Sequence, residues 1–402
     1  MNYINFKTSN LKPAVVLAAH TMGYGVIRSL GLKRVPLIAI YYDNKDIGYL
    51  SKYVMHSTRA PHPKENEFEF VSLLLNLGKN LERPVLIPSN DETLIAVSKF
   101  KKDLENYYYV ACPDHETVLK YINKSETYKI AEELGIPHPK TFRPHSLQHL
   151  ERISENVLYP CIVKPIQSHI YYDIFKLKMR VVKNPKEMKN EYLKAAEKNI
   201  ECLIQEFIPG SEDKGYNFNS YRYSDNTLIK FTSKKIRYSD DGLGIPTCVV
   251  SFPNNQEITE QSSKLLSYLQ YVGFSCIEYK FDSRDKKYKL MDINGRHNRS
   301  TLLALKCGIN FPWIEYCDLV FKEKMIEPEY KPNIYWIDLF KEIENLPQRL
   351  FRKKFSLLSF IRPYFKDKIF ADIDLRDIRP FIKRIWDAFS LLLLKLHKKR
   401  II

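Results

Sequence analysis

Apolar residues along this chain keep changing rhythm, and each change marks an element. Residues 13–19, PAVVLAA, form a short unbroken apolar run of the kind a buried strand shows. HTMGYGVIRSLG follows at once and predicts a Gly-containing turn with a helix starting near Gly25, and VPLIAIYYD is a second apolar run. This strand–helix–strand order predicts an open parallel sheet. Gly23 and Gly25 match only part of a dinucleotide fingerprint, so the turn is expected to be structural or to touch a substrate and not to hold NAD. A later strand, PVLIPS (84–89), ends at Asn90-Asp91-Glu92. Polar residues there face the crevice where ligands bind, and they equally suit the cap of a helix beginning TLIAVSKF. Both readings stand at this point.

A new unit begins near Cys112-Pro113-Asp114. Its helix carries YINKSETYKIAEELGIPHPKT, with Ile130 and Leu134 on one face and Gly135 as the C-cap before two prolines. Lys124 stands at the start of this helix, where a lysine alone reads as a solvated side chain. LYPCIVKPI instead places Lys164 at the end of an apolar strand. Burying an ammonium there is costly unless it meets an anion. After a helix predicted over about 186–198, ECLIQEFIPGSED (201–213) reads as a strand ending in carboxylates and a Pro-Gly turn. That layout suits a nucleotide base lying along extended backbone, or an ordinary edge strand.

From Gly273 to Ser300 the alternation is period two on both sides of a charged turn, which predicts a β-hairpin with one buried face. In the first run Ile277, Tyr279 and Phe281 point one way, and Glu278, Lys280 and Asp282 the other. In the second, Lys289, Met291 and Ile293 share one face, and Leu290, Asp292, Asn294 and Arg296 the opposite one. Pairing Asp282 with Tyr288 across a five-residue loop sets Glu278 directly opposite Asp292. Facing carboxylates repel, so the arrangement costs stability unless a cation sits between them. Mg2+ is the natural candidate, since it takes oxygen ligands and is held by one or two carboxylates plus substrate phosphates. Asn294 would add a carbonyl oxygen, and Arg296 a clamp able to bind an anion bidentately. A solvent-facing hairpin is the bland alternative, but the polar density from 292 to 299 is high for a plain surface strand.

Length and composition narrow the picture. At 402 residues the chain has room for about two or three domains. No apolar run approaches the ~18 residues needed to span a bilayer, and polar residues interrupt MNYINFKTSNLK, so a cytoplasmic location is expected. The seven cysteines are scattered without a C-x-x-C and read as reduced packing thiols. The formal charge is +16, and residues 321–402 hold 19 Lys/Arg against 11 Asp/Glu, which is half of that excess. Basicity concentrated in one tail, without a nucleic-acid motif, excludes nucleic acid from the expected partners. His20, His169 and His297 are candidate acid–base groups, with structural roles the ordinary alternative.

Lys124, IVKP with Lys164, LIQEFIPGSE, IEYKFD and MDINGR occur in the order and approximate spacing of the ATP-grasp motifs. Over roughly residues 13–320 the chain resembles that superfamily. VIRSLG, YLSKYV, VLIPSNDE and LGIPHPKT add a likeness to its ATP-dependent carboxylate–amine ligases. The resemblance implies an α/β fold, α+β in the ATP-grasp lobes. An N-terminal Rossmann-like parallel-sheet domain (1–112) would precede a small lobe (113–200), a large lobe with the metal site (201–325) and a basic helical C-terminal tail (326–402).

It also implies roles. Lys124 and Lys164 would contact ATP phosphates, and Gln205, Glu206, Phe207 and Ile208 would form the hinge that reads adenine. Glu212, or Asp213 in its place, would bind the ribose hydroxyls. Glu278, Asp292 and Asn294 would hold Mg2+, or Mn2+ in its stead, with Asp292 where the family usually has Glu. Arg296 would stabilise the transferred phosphoryl group. Lys235 and Arg237, with Lys234, would face the substrate or γ-phosphate, so Arg296, Lys235 and Arg237 are the catalytic candidates. The family's Gly-rich phosphate loop is replaced by IQSHIYYDIFKLKMRVV, which offers Ser168, His169, Lys176 and Lys178. The implied reaction forms an acyl-phosphate that an amine then attacks, with a small-molecule carboxylate and amine as partners. The other reading is a non-catalytic nucleotide-binding protein on a membrane surface. The closing run FIKRIWDAFSLLLLKLHKKRII has helical periodicity with Trp386 and terminal basic residues. It is expected either as an interfacial helix on anionic lipid at the inner face of the membrane, or packed on the body or on the partner in a homodimer.

Overall fold

The computed structural model describes residues 10–166, 168–177, 179–239, 245–351 and 356–399. The N-terminal apolar runs become the parallel strands β1 (Ala14–Leu17), β2 (Leu37–Tyr41), β3 (Val54–Arg59), β4 (Val85–Pro88) and β5 (Tyr109–Val110), in the order β3-β2-β1-β4-β5. Every residue of β1 and β4 is buried, which explains unbroken apolar runs in place of alternation. The helix after β1 spans Thr21–Gly31 and so starts four residues before the expected Gly25. His20 is its N-cap, with Nδ1 accepting from the Met22 N–H at 3.2 Å. Gly23 is required by packing, because a Cβ there would lie 2.2 Å from the Ala18 carbonyl oxygen. The packing supports the structural one of the two roles expected of this turn.

A four-stranded antiparallel sheet follows, built from β6 (Thr141–Phe142), β7 (Cys161–Pro165), β8 (Arg180–Val182) and β9 (Cys202–Glu206), in the order β6-β9-β7-β8. β9 pairs along β7 from Cys161↔Glu206 to Pro165↔Cys202. A division at residue 200 would therefore separate β9 from the strands it pairs with. A short apolar strand carries no periodic mark of the sheet it joins. Where the resemblance implied a Gly-rich loop, the backbone after β7 forms a helix, Ser168–Phe175. The side chains of Ser168 and His169, and all of Lys178, lie outside the described residues; Lys176 is exposed, 6.0 Å over the Tyr172 ring.

The large sheet contains β10 (Gly215–Arg222), β11 (Leu228–Tyr238), β12 (Pro246–Ser251), β13 (Gly273–Asp282), β14 (Lys287–Asn294), β15 (Tyr335–Ile337) and β16 (Lys368–Phe370). Their order is β14-β13-β10-β11-β12-β15-β16. The last two belong to the C-terminal tail, which carries the expected helices Leu339–Leu350, Leu357–Ile361 and Arg379–Lys399 and also returns two strands to this sheet. β15 pairs antiparallel with β12 and β16 parallel with β15, and Trp336 is fully buried in the core with Phe231 and Val249. Strands of three residues are too short to show period-two alternation. The tail also ties down the N-terminal domain. Arg28 donates to the Phe370 carbonyl (3.0 Å) and pairs with Asp374 (3.3 Å), while Asp377 accepts from the Lys52 N–H (3.0 Å) and the Ser51 hydroxyl. All seven cysteines are free and six are buried, which fits packing thiols. No helix among the described residues is long and apolar enough to cross a membrane.

Candidate active site

The β13–β14 hairpin reaches the expected pairing by a different route. Its loop is one residue shorter than the alternation predicted, so Asp282 pairs with Lys287 and Phe281 with Tyr288. Between the pairs Tyr279↔Leu290 and Glu278↔Asp292 a bulge absorbs Met291 and restores the facing carboxylates. The bulge also corrects the facing of Leu290. Leu290 and Ile293 are both buried, three residues apart, so Leu290 turns to the core and not to the side of Asp292.

A lysine meets each carboxylate. Asn123 ends one helix and caps the next, Lys124–Glu133, by accepting from the Ser125 N–H at 3.0 Å. This fixes Lys124 at the helix start, where its ammonium donates to both Asp292 oxygens at 2.7 and 2.8 Å. Lys235 of β11 is 5% exposed and ion-paired with Glu278. Lys164, also 5% exposed, donates to the Tyr128 hydroxyl at 2.9 Å, and Tyr128 in turn donates to the Met291 carbonyl at 2.7 Å. Sequence reasoning missed Tyr128. The only available signal was its place one helical turn after Lys124. Arg296 donates from Nε to Asp91 of the N-terminal domain at 2.9 Å. Asn90 caps the helix Asp91–Lys99, which bears out the capping reading of Asn90-Asp91-Glu92, and Asp91 meets Arg296.

These contacts set the protonation states. Burial would raise the Asp292 pKa, but Lys124, Lys164 and Arg296 outweigh it and hold the carboxyl below its ordinary range. Burial lowers the Lys164 pKa against the opposing pull of Asp292 and Glu278. For Lys235 the balance goes the other way, and Glu278 holds the ammonium charged despite burial. Burial, reinforced by Arg299 and Arg296, pushes His20 down to about 3. His20 is therefore neutral near pH 7.

Glu278 and Asp292 remain 32% and 27% exposed at the side chain, and the Asn294 amide nitrogen is 3.5 Å from Glu278. Among the described residues no group of three or more His, Cys, Asp or Glu gathers as a metal cage. Two accessible carboxylates and an amide fit a hard ion that completes its shell with water and phosphate, and not a closed zinc site. The donor set fits Mg2+.

The other candidates are engaged in different ways. Gln205 is buried and donates to the Thr141 hydroxyl at 2.9 Å, and Glu206 accepts from the Lys140 N–H (3.1 Å) and Arg284 (2.6 Å). Lys280 lies 5.3 Å over the Phe207 ring, and Ile208 is buried. Glu212 accepts from Arg349 at 3.2 Å, and Asp213 from Lys234 at 2.9 Å. Arg237 is buried and donates from Nε to Glu342 at 2.7 Å. The structure thus gathers Lys124, Lys164, Lys235, Arg296, Asn294 and the two carboxylates, while Arg237 is tied to the C-terminal segment. His297 is buried, 3.0 Å from Glu315 and packed on Phe274, which is a structural role. An open groove of about 610 Å³ lined by Phe142, His145, His149 and Arg152 contains none of these residues.

Residues 123–310 match the sequence family described as carbamoyl-phosphate synthase L chain, ATP binding domain. A D-aspartate ligase of Enterococcus faecium (strain Aus0004) is 26% identical over 280 residues, which cover 66% of this chain and 66% of that protein. This chain therefore spans about two thirds of that relative's length. The L-amino acid ligase from Bacillus licheniformis superimposes with a TM-score of 0.62 at 15% identity, over 78% of this chain and 75% of that one. The biotin carboxylase domain of Hydrogenobacter thermophilus 2-oxoglutarate carboxylase, solved with MgADP, ADP and bicarbonate, gives 0.64 at 15% identity, over 81% and 74%. At such identities the two superpositions show a shared fold.

Proposed function

We propose that this chain, whose residues 123–310 are an ATP-grasp domain, is an ATP- and Mg2+-dependent ligase that joins a carboxylate to an amine. The observation that carries the reading is the register pair Glu278↔Asp292, with Lys124 on one carboxylate and Lys235 on the other. Held by Glu278, Asp292 and Asn294, Mg2+, or Mn2+ in its place, would neutralise the phosphate charge that develops during transfer.

The protein's own groups do the rest by position and charge. Lys124 and Lys235 exchange their carboxylate partners for phosphate oxygens as ATP enters. Lys164, held by Tyr128, contributes a third ammonium. The hinge Gln205–Ile208 borders the adenine, and Glu212 or Asp213 the ribose. Arg296, oriented by Asp91, faces the substrate carboxylate and the transferred phosphoryl group. A carboxylate oxygen attacks the γ-phosphorus and ADP leaves, giving an acyl-phosphate. The amine then attacks the acyl carbon, phosphate leaves, and an amide remains. Arg237, buried against Glu342, ties β11 to the C-terminal segment.

The likeness to a D-aspartate ligase makes amino acids the first acids to test. ADP and phosphate release should require one acid together with one amine, and should vanish in Asp292→Ala. ATP binding without release, across amino-acid and small-carboxylate pools, would favour the binding-only alternative. Peripheral seating on a membrane is a separate proposal, resting on surface features away from this site.

A further inference from the structure

The Arg379–Lys399 helix turns a charged face toward the body and an apolar face away from it. Arg384 donates to the buried carboxylates of Asp372 (2.5 Å) and Asp338 (3.5 Å), and Phe381 packs on Phe340 with ring centroids 5.6 Å apart. Ile378, Ile382, Ile385, Trp386 and Phe389 are all exposed, Trp386 at 68%. Their spacing of three and four residues places them on one stripe. A helix that served only to pack on the body would present such a stripe inward. Here the ion pairs fix the opposite orientation, so the stripe is available to an external partner.

Charge selects the partner. Exposed Arg376 and Arg379 flank the start of the stripe at Ile378, and from Ala388 to Ile402 the sequence holds Lys395, Lys398, Lys399 and Arg400 with no acidic residue. A second copy would meet like charge in either orientation, whereas an anionic lipid surface complements both ends. The apolar spacing continues in the sequence at Leu393 and Leu396. No described helix can cross a bilayer, so the helix would lie on the surface without spanning it.

We propose that this face of the Arg379–Lys399 helix docks on an anionic lipid surface, apolar stripe inward and basic flanks on the lipid phosphates. The inference stands independently of the ligase reading. Truncation near residue 330 would test it poorly, because β15 and β16 would be lost with the tail. Substitution of exposed positions avoids that.

The test is flotation of the full chain with vesicles of phosphatidylcholine alone or mixed with phosphatidylglycerol. Wild type should float with the mixed vesicles and not with phosphatidylcholine alone. The double variant Ile385→Ser/Trp386→Ser and the charge reversal Lys398→Glu/Lys399→Glu should each lose about 10-fold or more of that binding. Melting temperature and ATP affinity should stay at wild-type values in both variants, which separates lost docking from lost folding. Equal recovery on both vesicle types, or full binding by the serine variant, would overturn the proposal. So would a wild-type dimer, seen by sedimentation velocity, that the serine variant dissolves while neither protein binds lipid.

Discussion

The hairpin and the C-terminal segment each pair acids with bases, but the two sets are built for different ends. Asp292 and Glu278 each meet a lysine at a partly open site, and both side chains are only partly buried. Asp338, Glu342 and Asp372 are fully buried, and each is bonded to an arginine: Arg299 and Arg384, Arg237, and Arg384 again. A lysine is a flexible point charge that gives up a carboxylate for a phosphate at small cost, whereas a buried guanidinium fork is fixed by geometry. Exchangeable charge marks the proposed reacting site, and fixed charge marks the C-terminal segment.

Substitutions at the two sets should separate these roles. Asp292→Ala should have the largest effect, cutting turnover ~10³-fold or more, since it removes a proposed metal ligand. Its melting temperature should fall little, which calorimetry can check. Glu342→Ala should do the reverse. Leaving Arg237 buried and unpaired costs about 3–5 kcal/mol of stability, read from urea unfolding, while the folded fraction keeps its kcat.

The pH dependences should also oppose each other. Burial, with Asp338 adding to it, raises Asp372 to about 6 despite Arg384. Its folded form therefore binds the proton more tightly than the unfolded chain, and stability from this group falls as pH rises from about 4 to about 6. Asp372→Asn should flatten that slope by an amount on the order of 2 kcal/mol, seen in melting temperature against pH. Asp292, held low, has the opposite sign: its contribution is present above the ordinary Asp pKa and is lost as pH falls through the depressed value. The smallest effect belongs to an exposed pair. Arg143→Ala, which breaks the contact with Glu201, should change stability by about 0.5 kcal/mol or less.

The same contrast explains what could be read from the chain. Period-two alternation at 277–294 was strong enough to place Glu278 opposite Asp292, although a shorter loop and a bulge at Met291 cancelled each other on the way. Lys124 and Lys164 were visible as lysines at positions where lysine is unusual or motif-bound. The N-terminal parallel sheet showed itself in unbroken apolar runs. β15 and β16 did not, because three residues hold too little pattern and their partners lie far along the chain. Tyr128, which connects Lys164 to the hairpin, is an aromatic on a helix until the fold brings the three together. Arg237 looked equivalent to Lys235, and only the tail's return, bringing Glu342, shows where its charge is used.

The central claim is transfer of the γ-phosphoryl group to a substrate carboxylate. It is tested most directly by supplying the acid with 18O in its carboxylate, together with ATP, Mg2+ and an amine, and weighing the phosphate released. The account predicts one 18O atom in each phosphate, carried from the acid when the amide forms, and no such phosphate from Asp292→Ala. Release of unlabelled phosphate by the wild type, with the acid recovered unchanged, would contradict it.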